Sequence, residues 1–359
     1  MAGEQSSSPL GESFTDIARE FSQFFQTGVL TSSYKPVLLK AILYYLKTSP
    51  VNQEGAIEFI AIDKIAEYFF TINFTLHKRF RLKQLTHKAR DVKIYQYIDE
   101  HFADDPGIHP PDVIPPDTIG KIKKLLFRNV LYLLRQDAHI YDFYDTGQQA
   151  ISLPRNIKDE TEFKTLLRER GIQERDIHYI GIPARIAQFI SFQRPILEAA
   201  TIANLAIFLE KVNTMPNLLV KIMVADGTYH KLRNISSTEK QRLYEYQNNR
   251  CFYCGKDMEI TPEADHFIPY DYLFDSQMWN IVGACQNCNR AKSNYIVGEA
   301  FLQRLKRRNE EEPFLSHFYK EAVDPPKLAS ELNALLEQHY RNGLMYFKQH
   351  VDFQKSPEN

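Results

Sequence analysis

The sequence predicts an α+β fold in which a mainly α-helical N-terminal region precedes a small C-terminal module and terminal helices. Two observations support this class. Apolar residues recur at helical spacing along most of the 359 residues, as in the segment 119–135. Stretches that suit strands are short, and the best defined of them lie among four cysteines between positions 251 and 288. We therefore expect helices to form most of the protein and two strands to carry the cysteine module.

Helices are predicted where an apolar stripe follows a capping residue or a proline. After Ser33, for example, Pro36 can occupy the first turn and Val37, Leu38 and Ile42 share one face. Further helical segments are predicted at 14–25, 63–70, 94–102, 119–135, 163–171, 184–212 with a break at Pro195, 299–311 and 328–347. Strands are predicted at 57–62 and in a hairpin within 139–153, and residues 218–224 are predicted to form a strand or a buried turn.

Composition restricts the classes of function. Hydrophobic residues are 43% and charged residues 25% of the chain, which is ordinary for a globular protein, and the net charge is −1. Contact with a polyanion must therefore be local. The N-terminus lacks the basic and apolar regions of a signal peptide, and no apolar run is long enough to span a membrane. We expect a cytoplasmic protein without membrane association.

The four cysteines form two Cys-x-x-Cys pairs, Cys251 with Cys254 and Cys285 with Cys288. Thiolates are strong ligands for zinc, and two such pairs complete a closed tetrahedral shell that leaves no position for water. Disulfide frameworks belong to small secreted domains, so we do not expect one here. The pattern predicts a structural Zn²⁺ site that fixes both ends of the loop between the pairs.

The loop between the pairs contains chemically suitable side chains. Residues 263–268 suit a strand that carries Asp265 and His266, and residues 279–284 suit a second strand. A helix starting near the second cysteine pair would bring Asn289 to the same point. The oxygens of Asp265 and Asn289 suit a hard divalent cation, and neutral His266 could accept a proton from water. This set favours hydrolysis of a phosphodiester.

These motifs resemble the HNH (ββα-metal) endonuclease family in its zinc-containing form. The resemblance covers about residues 250–295 and rests on Cys-x-x-Cys, Asp-His-x-x-Pro, Asn-Ile-Val and Cys-x-x-Cys-Asn-x-x-Lys. It implies that His266 is the general base, and that Asp265 and Asn289 are the ligands of a catalytic metal. Asn280 would brace the loop and orient His266, while the four cysteines would hold zinc.

One position departs from the family name. Asn289 stands where the name implies a histidine. Because an amide oxygen favours hard cations, we expect Mg²⁺ or Mn²⁺ as the catalytic metal, rather than nickel or a catalytic zinc.

Several basic residues are candidates for nucleic-acid contact. The resemblance implies that Lys292 and Arg290 contact phosphate. Two locally basic stretches upstream could neutralise further phosphates, although either could simply be a solvated surface. The candidates upstream are Lys78, Arg79, Arg81, Lys121 and Lys124.

The predicted organisation has four parts. Residues 1–11 form a disordered tail, 12–235 a recognition or partner-docking region, 236–310 the nuclease domain and 311–359 the terminal helices. The layout resembles bacterial nucleases of restriction and anti-phage defence, so DNA is the expected substrate, acted on by a homodimer or larger assembly. Two alternatives remain: a catalytically silent zinc-stapled nucleic-acid-binding adaptor, and a nuclease subunit active only with a partner such as an ATPase.

Overall fold

The computed structural model describes residues 13–27, 33–48, 57–84, 92–103, 109–138, 140–154, 156–229, 235–258 and 262–350. Helices predominate among them and the sheets are small, which confirms the α+β class. The chain divides into two compact units, Met1–Asn213 with Ala225–Thr228, and Thr214–Val224 with Tyr229–Asn359. The tail predicted at 1–11 lies outside the described residues, and the four predicted domains stay a prediction.

The first unit packs helices around a four-stranded antiparallel sheet. The strand order is β1-β4-β2-β3, with Ile57 opposite Pro183 and Phe143 opposite Ile151. Its helices are α1 (Phe14–Thr27), α2 (Tyr34–Thr48), α3 (Ile62–Phe74), α4 (Lys93–His101), α5 (Pro116–Asn129), α6 (Leu131–Ala138), α7 (Glu160–Glu169) and α8 (Ala184–Glu210). Its strands are β1 (Ile57–Ala61), β2 (Asp142–Tyr144), β3 (Ala150–Ile151) and β4 (Tyr179–Pro183).

The second unit contains the cysteines. A hairpin of two strands is followed by a short helix, and longer helices pack behind it. Its helices are α9 (Leu218–Ala225, whose last residue lies in the first unit), α10 (Ser237–Tyr246), α11 (Tyr270–Leu273), α12 (Gln286–Lys292), α13 (Glu299–Glu310), α14 (Glu312–Phe318) and α15 (Pro325–Gly343). Its strands are β5 (Glu263–His266), β6 (Ile281–Ala284), β7 (Ile296–Val297) and β8 (Gln349–His350).

Three predicted elements differ from the structure. The segment predicted as a strand or turn at 218–224 is helix α9, because an unbroken apolar run has no period that separates strand from helix. The single helix predicted at 119–135 is two, since Val130 leaves helical geometry at φ −145° and is itself fully buried. Helix α8 continues through Pro195, with the buried side chains of Ile190 and Leu197 holding it on either side.

Among the described residues, no helix combines the length and apolar character needed to cross a membrane.

Candidate functional site

The four cysteine sulfurs converge. All four Sγ atoms lie within 4.8 Å of one another, and those of Cys254 and Cys285 are 3.9 Å apart. Tetrahedral zinc with Zn–S bonds of about 2.3 Å requires sulfurs about 3.8 Å apart. A closed set of four thiols at this spacing fits a structural Zn²⁺ ion. In the described part of the chain, these cysteines are the one group of three or more His, Cys, Asp or Glu side chains that lie close enough together to hold a metal ion.

Local backbone geometry explains how each pair faces one point. Gly255 follows the first pair with φ +72°, which allows its N–H to donate to the carbonyl of Cys251 at 2.9 Å. The second pair uses a helix instead. Cys285 is the residue before α12 and Cys288 lies in its first turn, so both sulfurs lie at the start of the helix. An ion bound by the four thiols would therefore fix the start of the helix that carries Asn289.

The two strands form the hairpin that the sequence predicts. Asp265 pairs with Val282, and His266 pairs with Ile281 at the end of the ladder. The N–H of Phe252 donates to the carbonyl of Gly283 at 2.9 Å, which ties the first cysteine pair to the second strand. The hairpin and the cysteine cluster consequently form one structural piece.

Asn280 closes the loop between the strands. Its Oδ1 accepts from the N–H of Ile268 at 2.8 Å, and its Nδ2 donates to the carbonyl of the same residue at 3.0 Å. Its own carbonyl accepts from the N–H of Phe267 at 2.8 Å. Because Asn280 is fully buried, these bonds satisfy groups that water does not reach. The clamp holds the backbone immediately after His266.

The carboxylate of Asp265 is held from two sides. The hydroxyl of Tyr253 donates to its Oδ2 at 2.5 Å, and Nζ of Lys292 lies 3.1 Å from Oδ2 and 3.2 Å from Oδ1. Nζ of Lys292 also donates to the carbonyl of His266 at 2.7 Å. Burial, and then the negative charge of Asp265, raise the pKa of Tyr253 well above its ordinary value, so this phenol stays protonated and donates.

His266 is 6% exposed and lies beside the same group. Its Nε2 is 3.1 Å from Oγ of Ser276, in the loop between the strands, and the ring of Tyr270 packs edge-on at 5.0 Å. A bond at Nε2 restrains the ring plane of the imidazole. Ser276 thereby orients the predicted base.

Asn289 is held by a second acidic residue of β5. Its Nδ2 donates to Oε2 of Glu263 at 2.6 Å. This bond orients the amide, so its carbonyl oxygen faces away from Glu263. Glu263 and Asp265 are two residues apart on the strand and therefore share one face, which brings Asn289 of α12 to the side of Asp265.

The helix α13 supports the hairpin from behind. The buried guanidinium of Arg308 donates to the carbonyls of Met278 at 3.1 Å and Trp279 at 3.0 Å, and to that of Ile281. Asn309 donates to the carbonyl of Trp279 at 3.1 Å. Burial lowers the pKa of Arg308 to about 10, which leaves it charged at neutral pH. These bonds anchor the entrance to β6.

Sequence reasoning missed Tyr253, Glu263 and Ser276 as site residues. Only Glu263 carried a signal, since its spacing of two from Asp265 places it on the same strand face. Tyr253 lies between two cysteines, where an aromatic residue reads as packing. Ser276 is ten residues from His266, and only the course of the loop brings them together.

The other predicted contacts lie elsewhere. Arg290 is exposed on α12, whereas Lys292 is 1% exposed and faces Asp265. In the first unit, Lys78 donates to the carbonyl of Phe102 at 2.7 Å, and the guanidinium of Arg79 lies 5.1 Å from the ring centre of Phe80. The exposed predicted cations of this unit are Arg81, Lys121 and Lys124.

Comparison with known proteins decides the family of this segment. Residues 251–297 match the family described as HNH endonuclease. This segment is an HNH endonuclease module. The SPbeta prophage-derived putative HNH endonuclease YoqL of Bacillus subtilis (strain 168) is 26% identical over 114 residues, a match that covers 26% of this chain and 47% of that protein. The chain thus spans about half the length of this curated relative, and no solved structure matches it significantly.

The HNH match begins at the first zinc ligand, Cys251, and ends in β7 at Val297. It includes all four cysteines, the hairpin and α12, so the HNH family predicted from the motifs is confirmed, and the cysteine cluster fits its zinc form. The individual roles of Asp265, His266 and Asn289 stay predictions, which the geometry supports as follows.

Proposed function

We propose that this chain is a metal-dependent endonuclease that hydrolyses DNA phosphodiester bonds. One observation carries the proposal: the segment that matches the HNH endonuclease family brings Asp265 and His266 to the end of β5, beside Asn289 of α12. Hydrolysis of a phosphodiester requires a base for water and a positive charge near phosphate. His266 can supply the base, and Asp265 with Asn289 can hold a cation that carries the positive charge.

The proposed ligands of the catalytic cation are Asp265 and the side-chain oxygen of Asn289. The Asp265 carboxylate already attracts a cationic group, since Nζ of Lys292 lies within 3.2 Å of both of its oxygens. Carboxylate and amide oxygens suit Mg²⁺ or Mn²⁺ better than soft metals. A bound cation would neutralise charge on the scissile phosphate and on the leaving oxygen. The thiols hold Zn²⁺ separately, as structure.

His266 is the proposed general base. Ser276 engages Nε2 and orients the imidazole, and a ring nitrogen of His266 would accept the proton of the attacking water. The backbone following His266 is fixed by Asn280, so the imidazole keeps its position while the proton moves. Positioning of this kind is a large part of what a hydrolytic site contributes.

Lys292 and Arg290 were both predicted to contact phosphate, and we propose a different role for each. Arg290 is exposed on α12, and we propose that it contacts phosphate. Lys292 is bonded to Asp265 and to the carbonyl of His266, so we propose that it positions the two catalytic residues.

The biological setting is part of the proposal. A role in restriction or anti-phage defence, with the N-terminal region recognising DNA or docking a regulatory protein such as an ATPase, is consistent with the layout of helical region and HNH module. A single HNH module holds one reactive site, so cutting both strands favours a homodimer or larger assembly.

The test is plasmid cleavage by the full chain with Mg²⁺. We expect His266→Ala to abolish nicking while zinc content and the unfolding temperature stay unchanged. The matched control is His317→Ala, which changes an exposed histidine of the same unit and should cut normally. DNA binding without cleavage by the wild-type chain, under every metal condition, would support the adaptor alternative instead. Cleavage that appears only after adding a partner protein would identify a subunit.

A further inference from the structure

A cleft in the first unit, remote in sequence from the HNH module, is lined by cations around an apolar floor. Its volume is about 590 Å³, within the range of small-ligand sites. The cleft runs between α5 and α7 and is closed by the turn that follows α7. Its apolar floor consists of Ile172, which is partly exposed, above Phe127 and Leu167, which are each 2% exposed.

Helical spacing brings the lining residues to the cleft. On α5, Gly120, Lys123, Lys124 and Phe127 follow the spacing of three and four that defines one helix face. The same spacing holds for the lining residues of α7, which begin at Lys164. Two facing helices therefore present basic and apolar groups to the same space.

Two of the cations are already balanced. Lys123 pairs with Asp63 at 2.5 Å, and Lys164 pairs with Glu160 at 2.5 Å and lies 3.9 Å from Glu174. These lysines form the wall of the cleft and contribute little net charge to it.

The remaining cations are available to a ligand. Within the described residues, Lys124 and Arg168 have no acidic side chain at ion-pair distance, and both are exposed at the cleft. Arg175, 78% exposed at its side chain, reaches Asp176 only at 4.0 Å. A partner that neutralises these cations must carry negative charge, and Ile172 offers an apolar contact beside them.

We infer that this cleft binds a nucleotide, with the base against the partly exposed Ile172 and the phosphate beside Lys124 and Arg168. One guanidinium group can donate two parallel hydrogen bonds to the oxygens of a phosphate, whereas an ammonium group attracts a phosphate as a point charge. The nucleotide is either a free nucleoside phosphate or one residue of a DNA strand. The inference adds a binding site to the proposed nuclease, and it does not depend on cleavage.

Gly120 allows the cleft to be blocked without removing a charge. A Cβ placed on Gly120 would meet no atom within 4 Å, although the residue lines the cleft. Gly120→Leu should therefore fill the space while leaving the helix intact, since leucine also favours helix more than glycine. Gly120→Ala is the matched control, because it makes the same backbone change with a small side chain.

The experiment measures binding by the full chain carrying His266→Ala, so that DNA is not cut. The probes are a fluorescent dATP analogue, a single-stranded DNA oligonucleotide and the corresponding duplex. We expect Gly120→Leu, and separately Lys124→Ala with Arg168→Ala, to weaken binding at least tenfold. The matched charge control is Lys158→Ala with Arg170→Ala, exposed cations close by in sequence that do not line the cleft.

The probes separate the two sources. Tenfold weakening for the dATP analogue identifies a free nucleotide as the ligand. Weakening for an oligonucleotide, with no binding of the analogue by the parent chain, identifies a nucleotide of DNA. In that case loss of the two cations should also lower the salt dependence by about 0.7 to 0.9 per phosphate contact. Unchanged binding of every probe by Gly120→Leu, or equal weakening by the charge control, would overturn the inference.

Discussion

Nζ of Lys292 lies 3.1 Å from Oδ2 of Asp265, and the two side chains are 1% and 8% exposed. A buried ammonium therefore neutralises the carboxylate that is proposed to hold the catalytic cation. Both positive groups require the same two oxygens, so Lys292 stabilises the metal-free site and opposes metal binding.

Lys292→Met should therefore alter metal dependence. We expect the Mg²⁺ concentration for half-maximal cleavage to fall by about tenfold, equivalent to ~1.4 kcal/mol. Without Mg²⁺, the variant should unfold more readily by about 3–5 kcal/mol, because the buried carboxylate of Asp265 loses its ammonium partner. Cleavage titrated with Mg²⁺ and thermal unfolding with and without it measure the two effects. Lys306→Met, which breaks the more exposed pair with Glu337, is the control and should leave the Mg²⁺ titration unchanged.

Ser276→Ala should slow cleavage without altering the fold. The variant removes the bond at Nε2 of His266, which fixes the orientation of the base. A hydrogen bond contributes about 0.5–1.5 kcal/mol, so we expect kcat to fall by up to about tenfold. A rate equal to that of the wild type would show that Ser276 does not orient His266.

Asn280→Ala should destabilise the second unit. It leaves the N–H and the carbonyl of Ile268 buried without partners, at a cost of about 1–3 kcal/mol for each group. Chemical denaturation of the full chain measures the loss. Asn287→Ala changes an exposed asparagine of α12 and should leave the denaturation midpoint unchanged. Equal midpoints for the two variants would show that the bonds between Asn280 and Ile268 do not stabilise the unit.

Removal of zinc should unfold the module that carries the site. Cys288→Ala, or a zinc-selective chelator with Mg²⁺ kept in excess, should abolish cleavage and lower the zinc content measured by elemental analysis. Structural zinc contributes on the order of 10 kcal/mol to the folding of small modules, far more than the hairpin alone could supply. Circular dichroism and limited proteolysis should show a loosened second unit. Undiminished cleavage by zinc-free protein in the presence of Mg²⁺ would refute a structural zinc.

The stability of the second unit should rise with pH above neutrality. Burial lowers the pKa of Lys221 to about 7, although the charge of Asp271 opposes this shift. The unfolded chain, in which the pKa of lysine is about 10.4, binds more protons than the folded chain between these values. Stability therefore increases from pH 7 towards pH 10, and the penalty for the buried charge is fully present below pH 7. Unfolding temperatures across this range should rise in the wild type and stay flatter in Lys221→Met.

The sequence predicted the HNH segment well because its determinants are local. The cysteine spacing fixes two turns, and the strand and helix between them follow from short apolar runs near Asp265 and Asn289. The position of Lys292 was not predictable in the same way. Its spacing of three from Asn289 suggested a shared helix face. Its buried partner, Asp265, belongs to strand β5, and spacing along the helix does not specify a contact with a strand.

The helical region shows the same limit. Alternation cannot distinguish strand from helix in the apolar run 218–224, and the break at Val130 depends on how its side chain enters the core. The cleft beside Lys124 lies between α5 and α7. Thirty residues separate the end of α5 at Asn129 from the start of α7 at Glu160. Sequence reasoning identified the basic stretch on α5 and could not supply the opposing wall.

The anchoring of the hairpin by Arg308 and Asn309 has a consequence for synthesis. Ribosomes make the chain from the N-terminus, so the zinc ligands and the reactive side chains emerge before the two residues that fasten the entrance to β6. A nascent polypeptide would thus possess every chemical group required for cutting while its backbone support is still missing. The hairpin therefore gains the support of Arg308 and Asn309 only after translation has passed the HNH segment.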